Sequence, residues 1–280
     1  MKKDQLFTRR RLLLFGATAA AGAAGTAGLL AWGPDGEPAD PAGPAAGAPA
    51  RRLALKPSAY RLQPLTGYGA PRAAPGRTPV RREPLLRMSG RGRTMVLTFD
   101  DGPDPRYTPR ILDTLAEYGV RAMFFVCGEM AVDHQDLLAR MADEGHVVGN
   151  HTWSHPLLTA LSRRRIRSEM TRTSEVIEAG YGERPRWFRA PYGAWNRAAF
   201  QLGAELGMEP LAWTVDTLDW TTPGVRTIVD RVEEGAGSGV VILSHDAGGD
   251  RTQSVKALRR YLPRLLDSGY HITVPQRQHT

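Results

Sequence analysis

Met95-Val96-Leu97-Thr98-Phe99-Asp100-Asp101-Gly102-Pro103 is the stretch on which the fold turns. A short apolar run ends abruptly in two carboxylates and a Gly-Pro step, which reads as a buried strand delivering polar groups into a tight turn. Adjacent carboxylates repel, so they call for a cation or for different roles. Taken alone, Asp-Asp-Gly-Pro is more often a surface turn than a site.

Downstream, six further strand-like runs follow at Ala122–Val126, His146–Gly149, Trp187–Arg189, Pro210–Val215, Val240–Leu243 and Tyr270–Val274. Between most of them lie helix-length segments with apolar residues three and four apart, such as Ile111/Leu112/Leu115 and Leu258/Leu262/Leu265/Leu266. Strands alternating with helices predict an α/β fold around a mostly parallel sheet. Seven strands fall short of an eightfold barrel, and no glycine-rich phosphate loop follows the first strand. An open or incomplete barrel is expected, with its chemistry after the C-terminal ends of the strands.

Polar clusters fall at those ends. The third run leads into Asn150-His151-Thr152-Trp153-Ser154-His155, whose histidines four apart suit a divalent metal if the loop opens into a helical turn. The fourth ends in Arg189-Ala190-Pro191-Tyr192, the fifth in Asp216-Thr217-Leu218-Asp219-Trp220, and the sixth in Leu243-Ser244-His245-Asp246. Singly, Arg189 reads as an ion-pair partner, Trp220 as core and His245 as a satisfied buried histidine. Together they supply the parts of a hydrolytic metal site.

The clusters also resemble, in order and character, the five motifs of the polysaccharide deacetylases, carbohydrate esterase family four with its NodB-homology domain. Thr-Phe-Asp-Asp-Gly-Pro, His-Thr-x-Ser-His, Arg-x-Pro-Tyr, Asp-x-x-Asp-Trp and Leu-x-His are all present between Arg91 and Val274. The resemblance implies a distorted (β/α)7-type barrel and metal-dependent removal of acetyl groups from a polysaccharide. It implies that Asp101, His151 and His155 bind the metal, and that Asp100 acts as general base on its water. It further implies that His245 is the general acid, paired with Asp219, and that Arg189 orients Asp100 and keeps it ionised. The Tyr192 N–H would hold the oxyanion, while Trp220 and Leu243 would wall the acetyl pocket. Zinc suits two histidines and a carboxylate, with cobalt or manganese as acceptable substitutes.

Other residues read more plainly. Asp216 serves either the site or a structural hydrogen bond, and Thr152 and Ser154 set the metal loop through their hydroxyls. Cys127, the lone cysteine, precludes an internal disulfide and reads as a buried small hydrophobe. His134, His146, His271 and His279 lack partners in sequence and read as surface or structural. The run Arg163-Arg164-Arg165-Ile166-Arg167 reads as a solvated helix face or as an aid in binding an acidic glycan.

The chain has 280 residues and a formal net charge of +8, but the charge is uneven. Residues 1–90 hold 14 Lys and Arg against 5 Asp and Glu, whereas residues 91–275 hold 22 against 24. A folded part that is slightly acidic argues against nucleic acid as a partner. The basic first third instead suits anionic membrane or wall polymers. Within it, Thr8-Arg9-Arg10-Arg11-Leu12-Leu13 resembles a twin-arginine export signal, followed by an uncharged stretch from Leu12 to Pro34. Eight of those 23 residues are Ala and five Gly, so the segment is long enough to span a bilayer but weakly apolar.

Residues 1–33 are therefore expected to be a signal peptide or an uncleaved N-terminal anchor, with no cysteine to lipidate. Residues 34–90, rich in Pro, Ala, Gly and Arg, are expected to be a disordered linker, 91–275 the catalytic domain and 276–280 a tail. An exported monomer acting on N-acetyl groups of peptidoglycan or chitin-like glycans is the leading expectation. Acetylxylan esterase activity and non-catalytic wall binding are the alternatives.

Overall fold

The computed structural model describes residues 78–88 and 92–275. The export segment and residues 276–280 lie outside the described residues, as does the linker up to residue 77. Among the described residues, eight strands and seven α-helices follow in near alternation. The strands are β1 (Thr94–Asp100), β2 (Met123–Val126), β3 (Val147–Asn150), β4 (Trp187–Phe188), β5 (Glu209–Pro210), β6 (Val215–Asp216), β7 (Val240–His245) and β8 (His271–Ile272). All pair in parallel, in the order β5-β4-β3-β2-β1-β7-β6, with β8 joining the start of β1. This is the distorted (β/α)7-type barrel expected.

The alternation of β1 explains why it lies centrally. Met95, Leu97 and Phe99 point outward into the large core shared with the helices, including Ile111, Leu112 and Leu115 of α1 (Thr108–Glu117) and Leu258, Leu262 and Leu265 of α7 (Thr252–Asp267). Val96 points the other way, into a smaller core with Met123, Phe125, Leu211 and Val241 that fills the barrel lumen. Thr98 and Asp100 continue that inward face by the two-residue period of a strand. A carboxylate is thereby carried into the barrel, 3% exposed.

One expectation is corrected. The run Pro210–Val215 is two strands, β5 and β6, and they stand at opposite edges of the sheet. Four residues cross from one edge to the other, leaving an open seam between them. Residues 84–88, which read as linker, help to close it. Leu85 N–H donates to Pro210 O at 2.9 Å, Ala212 N–H donates to Leu85 O at 2.8 Å, and Met88 N–H donates to Gly239 O at 3.0 Å. Leu85 and Met88 pack against the lumen core, and Arg81 pairs with Glu209.

Helix α4 (Arg163–Tyr181) is bounded by its own sequence. Ser162 caps its start by accepting from the Arg165 N–H at 3.3 Å, and Gly182, at φ 89°, ends it in the left-handed region. Its buried stripe of Ile166, Met170, Thr173 and Ile177 also contains Glu169. Three of the four arginines at its start are engaged: Arg163 and Arg167 pair with Glu205, and Arg165 with Glu169.

Removing residues 78–88 should cost the three backbone hydrogen bonds across the seam, on the order of 2 kcal/mol. For a domain of this size that is about 4–8 °C in Tm. Thermal unfolding of chains beginning at residue 78 and at residue 92 checks this, and equal midpoints would contradict it.

Candidate active site

A cavity of about 680 Å³ opens at the C-terminal ends of the strands, lined by residues from the loops after β1, β3, β4, β6 and β7. Asp100, Asp101, His151, His155, Tyr192, Trp220, Leu243 and His245 all line it. Arg189 and Asp219 stand just behind, 0% and 1% exposed.

Three side chains converge. One ligand atom from each of Asp101, His151 and His155 lies within 4.8 Å of the others. Asp101 Oδ1 is 3.5 Å from His151 Nε2 and 3.4 Å from His155 Nε2. That oxygen is buried and has no hydrogen-bond partner. A carboxylate oxygen withheld from water and from hydrogen bonds is costly unless a cation satisfies it. Two imidazole nitrogens face it, and the two-nitrogen, one-oxygen set fits a divalent ion. His151 is prepared for this: Nδ1 donates to Arg189 O at 2.9 Å, which leaves Nε2 unprotonated and facing Asp101. Burial holds His151 neutral, its pKa lowered to about 3.

Asp100 belongs to a different environment. Arg189 Nη1 donates to Asp100 Oδ1 at 2.6 Å and to Thr98 Oγ1 at 2.8 Å. Arg189 Nε and Nη2 donate to Leu211 O and Ala212 O, each at 3.0 Å, so one guanidinium joins β4, β1 and the β5–β6 crossing. Its plane lies over Phe125, 4.1 Å from the ring centre. Burial raises the Asp100 pKa, and Arg189 pulls against it. The net direction is upward, so burial leaves the carboxylate more basic than usual while Arg189 favours its ionised form.

Across the cavity, His245 Nδ1 and Asp219 Oδ1 are 2.6 Å apart, and the His245 N–H donates to Asp219 Oδ2 at 2.9 Å. Ser254 adds a third bond to the same carboxylate, Oγ to Oδ2, at 2.6 Å. Burial opposes the imidazolium, but the Asp219 hydrogen bond and charge, with Asp100 and Asp101 beyond, outweigh it and push His245 up to about 9. Asp219 itself, although buried, is held below the usual carboxylate range by His245 and Ser254.

Tyr192 projects into solvent, 67% exposed, with its ring edge-on to His155 at 4.5 Å and its backbone in the left-handed region at φ 60°. Trp220, 56% exposed, stands at the rim, and Leu243 is buried in the wall. Asp216 lines the cavity while its Oδ1 accepts from the Leu218 N–H at 2.8 Å, setting the turn that presents Asp219. Cys127 is 5% exposed, and burial, with the charges of Asp101 and Asp100, raises its pKa well above the ordinary thiol value. His146 is structural: its Nδ1 accepts from the Ala122 N–H at 3.1 Å.

Several neighbours carried no recognisable signal in the sequence. Ser254 on α7 and Arg251, which donates to Ala247 O and Asp219 O, sit too far along the chain from the motifs they support. Asp246, by contrast, closes the Leu243–Asp246 cluster read from the sequence; it is enclosed against Gly102 and Thr108, and Thr108 Oγ1 donates to it at 2.5 Å. Glu169 had a visible signal, a lone carboxylate at a core-facing position of an amphipathic helix.

A family model described as polysaccharide deacetylase matches residues 87–211. A chitooligosaccharide deacetylase of Sinorhizobium fredii is 42% identical over 201 residues, covering 67% of this chain and 94% of the relative. The chain belongs to the polysaccharide deacetylase family. Among solved structures, the peptidoglycan N-acetylglucosamine deacetylase Bc1960 is 36% identical with a TM-score of 0.65, over 68% of this chain and 89% of that one. A pseudoenzyme of the same family from Bacillus anthracis is 28% identical with a TM-score of 0.63, over 68% of this chain and 66% of its own. Since the fold houses both, side-chain geometry carries the weight, and this deacetylase has all five motifs assembled around one cavity.

Replacing Asp219 by Asn removes the charge that opposes burial at His245. The imidazole pKa should then drop well below about 9, with only Asp100 and Asp101 left to oppose burial. Titration of the His245 ring by NMR checks this, and a value still near 9 in the variant would contradict it.

Proposed function

We propose that this deacetylase is a zinc-dependent hydrolase that removes N-acetyl groups from N-acetylglucosamine-containing glycans, wall peptidoglycan foremost. The observation that carries the proposal is the placement of an arginine-bound buried carboxylate and a carboxylate-paired histidine beside the Asp101, His151 and His155 cluster. Asp100 is a buried carboxylate made more basic, and His245 is a histidine made more acid-competent by staying protonated to about pH 9. Different surroundings thus suit the carboxylate to the part of base and the histidine to that of acid.

Asp101, His151 and His155 would hold the ion. When bound, a divalent metal there supplies Lewis acidity, lowering the pKa of a water and polarising the acetyl carbonyl. Asp100, oriented by Arg189, takes a proton from the attacking water. The Tyr192 N–H stabilises the oxyanion that develops on the carbonyl oxygen. His245, with Nδ1 engaged by Asp219, delivers the Nε2 proton to the departing nitrogen. The C–N bond breaks, giving acetate and a free amine. Leu243 and Trp220 exclude water from around the acetyl methyl, and the exposed faces of Trp220 and Tyr192 offer stacking surfaces for sugar rings.

The substrate assignment is supported by relatives that act on chitooligosaccharides and on peptidoglycan. It is also supported by the twin-arginine-like segment and basic first third, which suit a protein exported to the wall.

Acetate release from chitooligosaccharides, purified peptidoglycan and acetylxylan tests the proposal, with Asp100→Asn run in parallel. Release from peptidoglycan or chitooligosaccharide that drops at least about 10²-fold in the variant is expected. Release from acetylxylan alone, or equal release by Asp100→Asn, would overturn it.

A further inference from the structure

The loop Asn150–His155 adopts a conformation that its own sequence does not favour. Thr152 and His155 both hold left-handed backbones, at φ 70° and 53°, with no glycine to ease them. Such a loop persists only if its surroundings fix it. Its successive N–H groups are in fact captured one by one. Thr152 N–H donates to Asn150 Oδ1 at 2.8 Å, and Asn150 Nδ2 is itself anchored on Met170 O at 2.7 Å and Ser174 Oγ at 3.0 Å. Trp153 N–H and Ser154 N–H then converge on a single atom, Glu169 Oε2, at 3.1 and 2.9 Å.

Glu169 is 1% exposed, in the middle of α4, and Arg165 reaches its other oxygen at 3.3 Å. A buried carboxylate accepting two backbone N–H groups makes strong, charge-assisted bonds. The loop is also held on its other side. Trp153 lies so close to Gly128 that a Cβ there would fall 2.3 Å from its ring, and Arg172 of α4 stacks over the same ring at 3.8 Å. His155 follows Ser154 directly, so whatever fixes the Ser154 peptide fixes where the imidazole emerges.

The geometry points to Glu169 as a positioning residue of the reaction centre. It touches neither the cavity nor the three converging side chains, yet it holds His155 where its Nε2 meets Asp101. This inference rests on the reading that Asp101, His151 and His155 hold the ion. Its consequence is specific: Glu169 governs how tightly the chain retains metal, whatever the glycan. Groups behind the ligands of a metal site commonly govern affinity by 10–100-fold.

The test uses the chain stripped of metal by chelation, with zinc affinity measured by competition against a chromophoric chelator. The visible absorption of the cobalt-loaded chain reports the coordination environment. Glu169→Met, which leaves both N–H groups without an acceptor, is expected to weaken zinc binding by about 10–100-fold and to alter the cobalt spectrum. Glu169→Gln, whose amide oxygen stands in for Oε2, is expected to stay near wild type. Ile177→Val, a loss of packing on the same helix, is expected to change neither readout. If Glu169→Met does not fold, Glu169→Asp serves in its place: it keeps the charge but withdraws it by one methylene, and weaker zinc binding is again expected. Wild-type affinity and spectrum in the folded Met or Asp variant would overturn the inference, as would an equal loss in Ile177→Val. Absence of zinc binding by the wild-type chain would instead overturn the metal reading on which it rests.

Discussion

A guanidinium inside a barrel is the constraint on which the rest depends. Arg189 is fully buried, and its donors are distributed over Asp100, Thr98, Leu211 O and Ala212 O. Burying such a pair is expensive, and removing one partner of a buried pair typically costs about 3–5 kcal/mol because the other is left uncompensated. Here every bond serves a second purpose. Those to Leu211 and Ala212 span the seam where β5 and β6 do not pair. Those to Thr98 and Asp100 fix the inner face of β1. The Arg189 carbonyl accepts from His151 Nδ1 and so selects which nitrogen faces Asp101. One residue thereby links the closure of the barrel to the geometry of two different functional groups.

Much of this was legible in the sequence because the chemistry lies at strand ends. The alternation in Met95–Asp100 gives both the sheet and the direction of Asp100, and the clusters after the strands gave the composition of the site. What could not be read has physical reasons. The two-residue strands β5 and β6 are too short for periodicity, and Pro210–Val215 looks like one run although its ends lie at opposite edges. Leu85 and Met88 close the seam mainly through backbone hydrogen bonds, which leave no side-chain pattern in a stretch rich in Pro and Arg. Ser254 and Arg251 meet Asp219 only through the packing of α7, so no local motif marks them.

The electrostatic design follows from the same partition. Asp100 and Asp101 are neighbours in sequence, and His151 Nε2 lies near both, 3.6 Å from Asp100 Oδ2 and 3.5 Å from Asp101 Oδ1, but Asp100 also takes Arg189 whereas Asp101 also faces His155. Arg189 offsets the charge on Asp100, while the imidazole nitrogens facing Asp101 leave its charge for a cation to meet. On the far wall, three hydrogen bonds on Asp219 make a firm anion, which in turn keeps His245 charged. Burial of Asp100 raises the lower edge of the pH interval in which both stand in their working protonation states, and Asp219 raises its upper edge to about 9.

The claim that binds these points together is that the Asp101, His151 and His155 cluster holds a metal required for deacetylation. Its most direct measurement is acetate release from a chitooligosaccharide by the full chain, first after exhaustive chelation and then with stoichiometric zinc restored. The account predicts negligible acetate from the chelated protein and full recovery at one equivalent of zinc. Undiminished release after chelation, with metal analysis showing none retained, would contradict it.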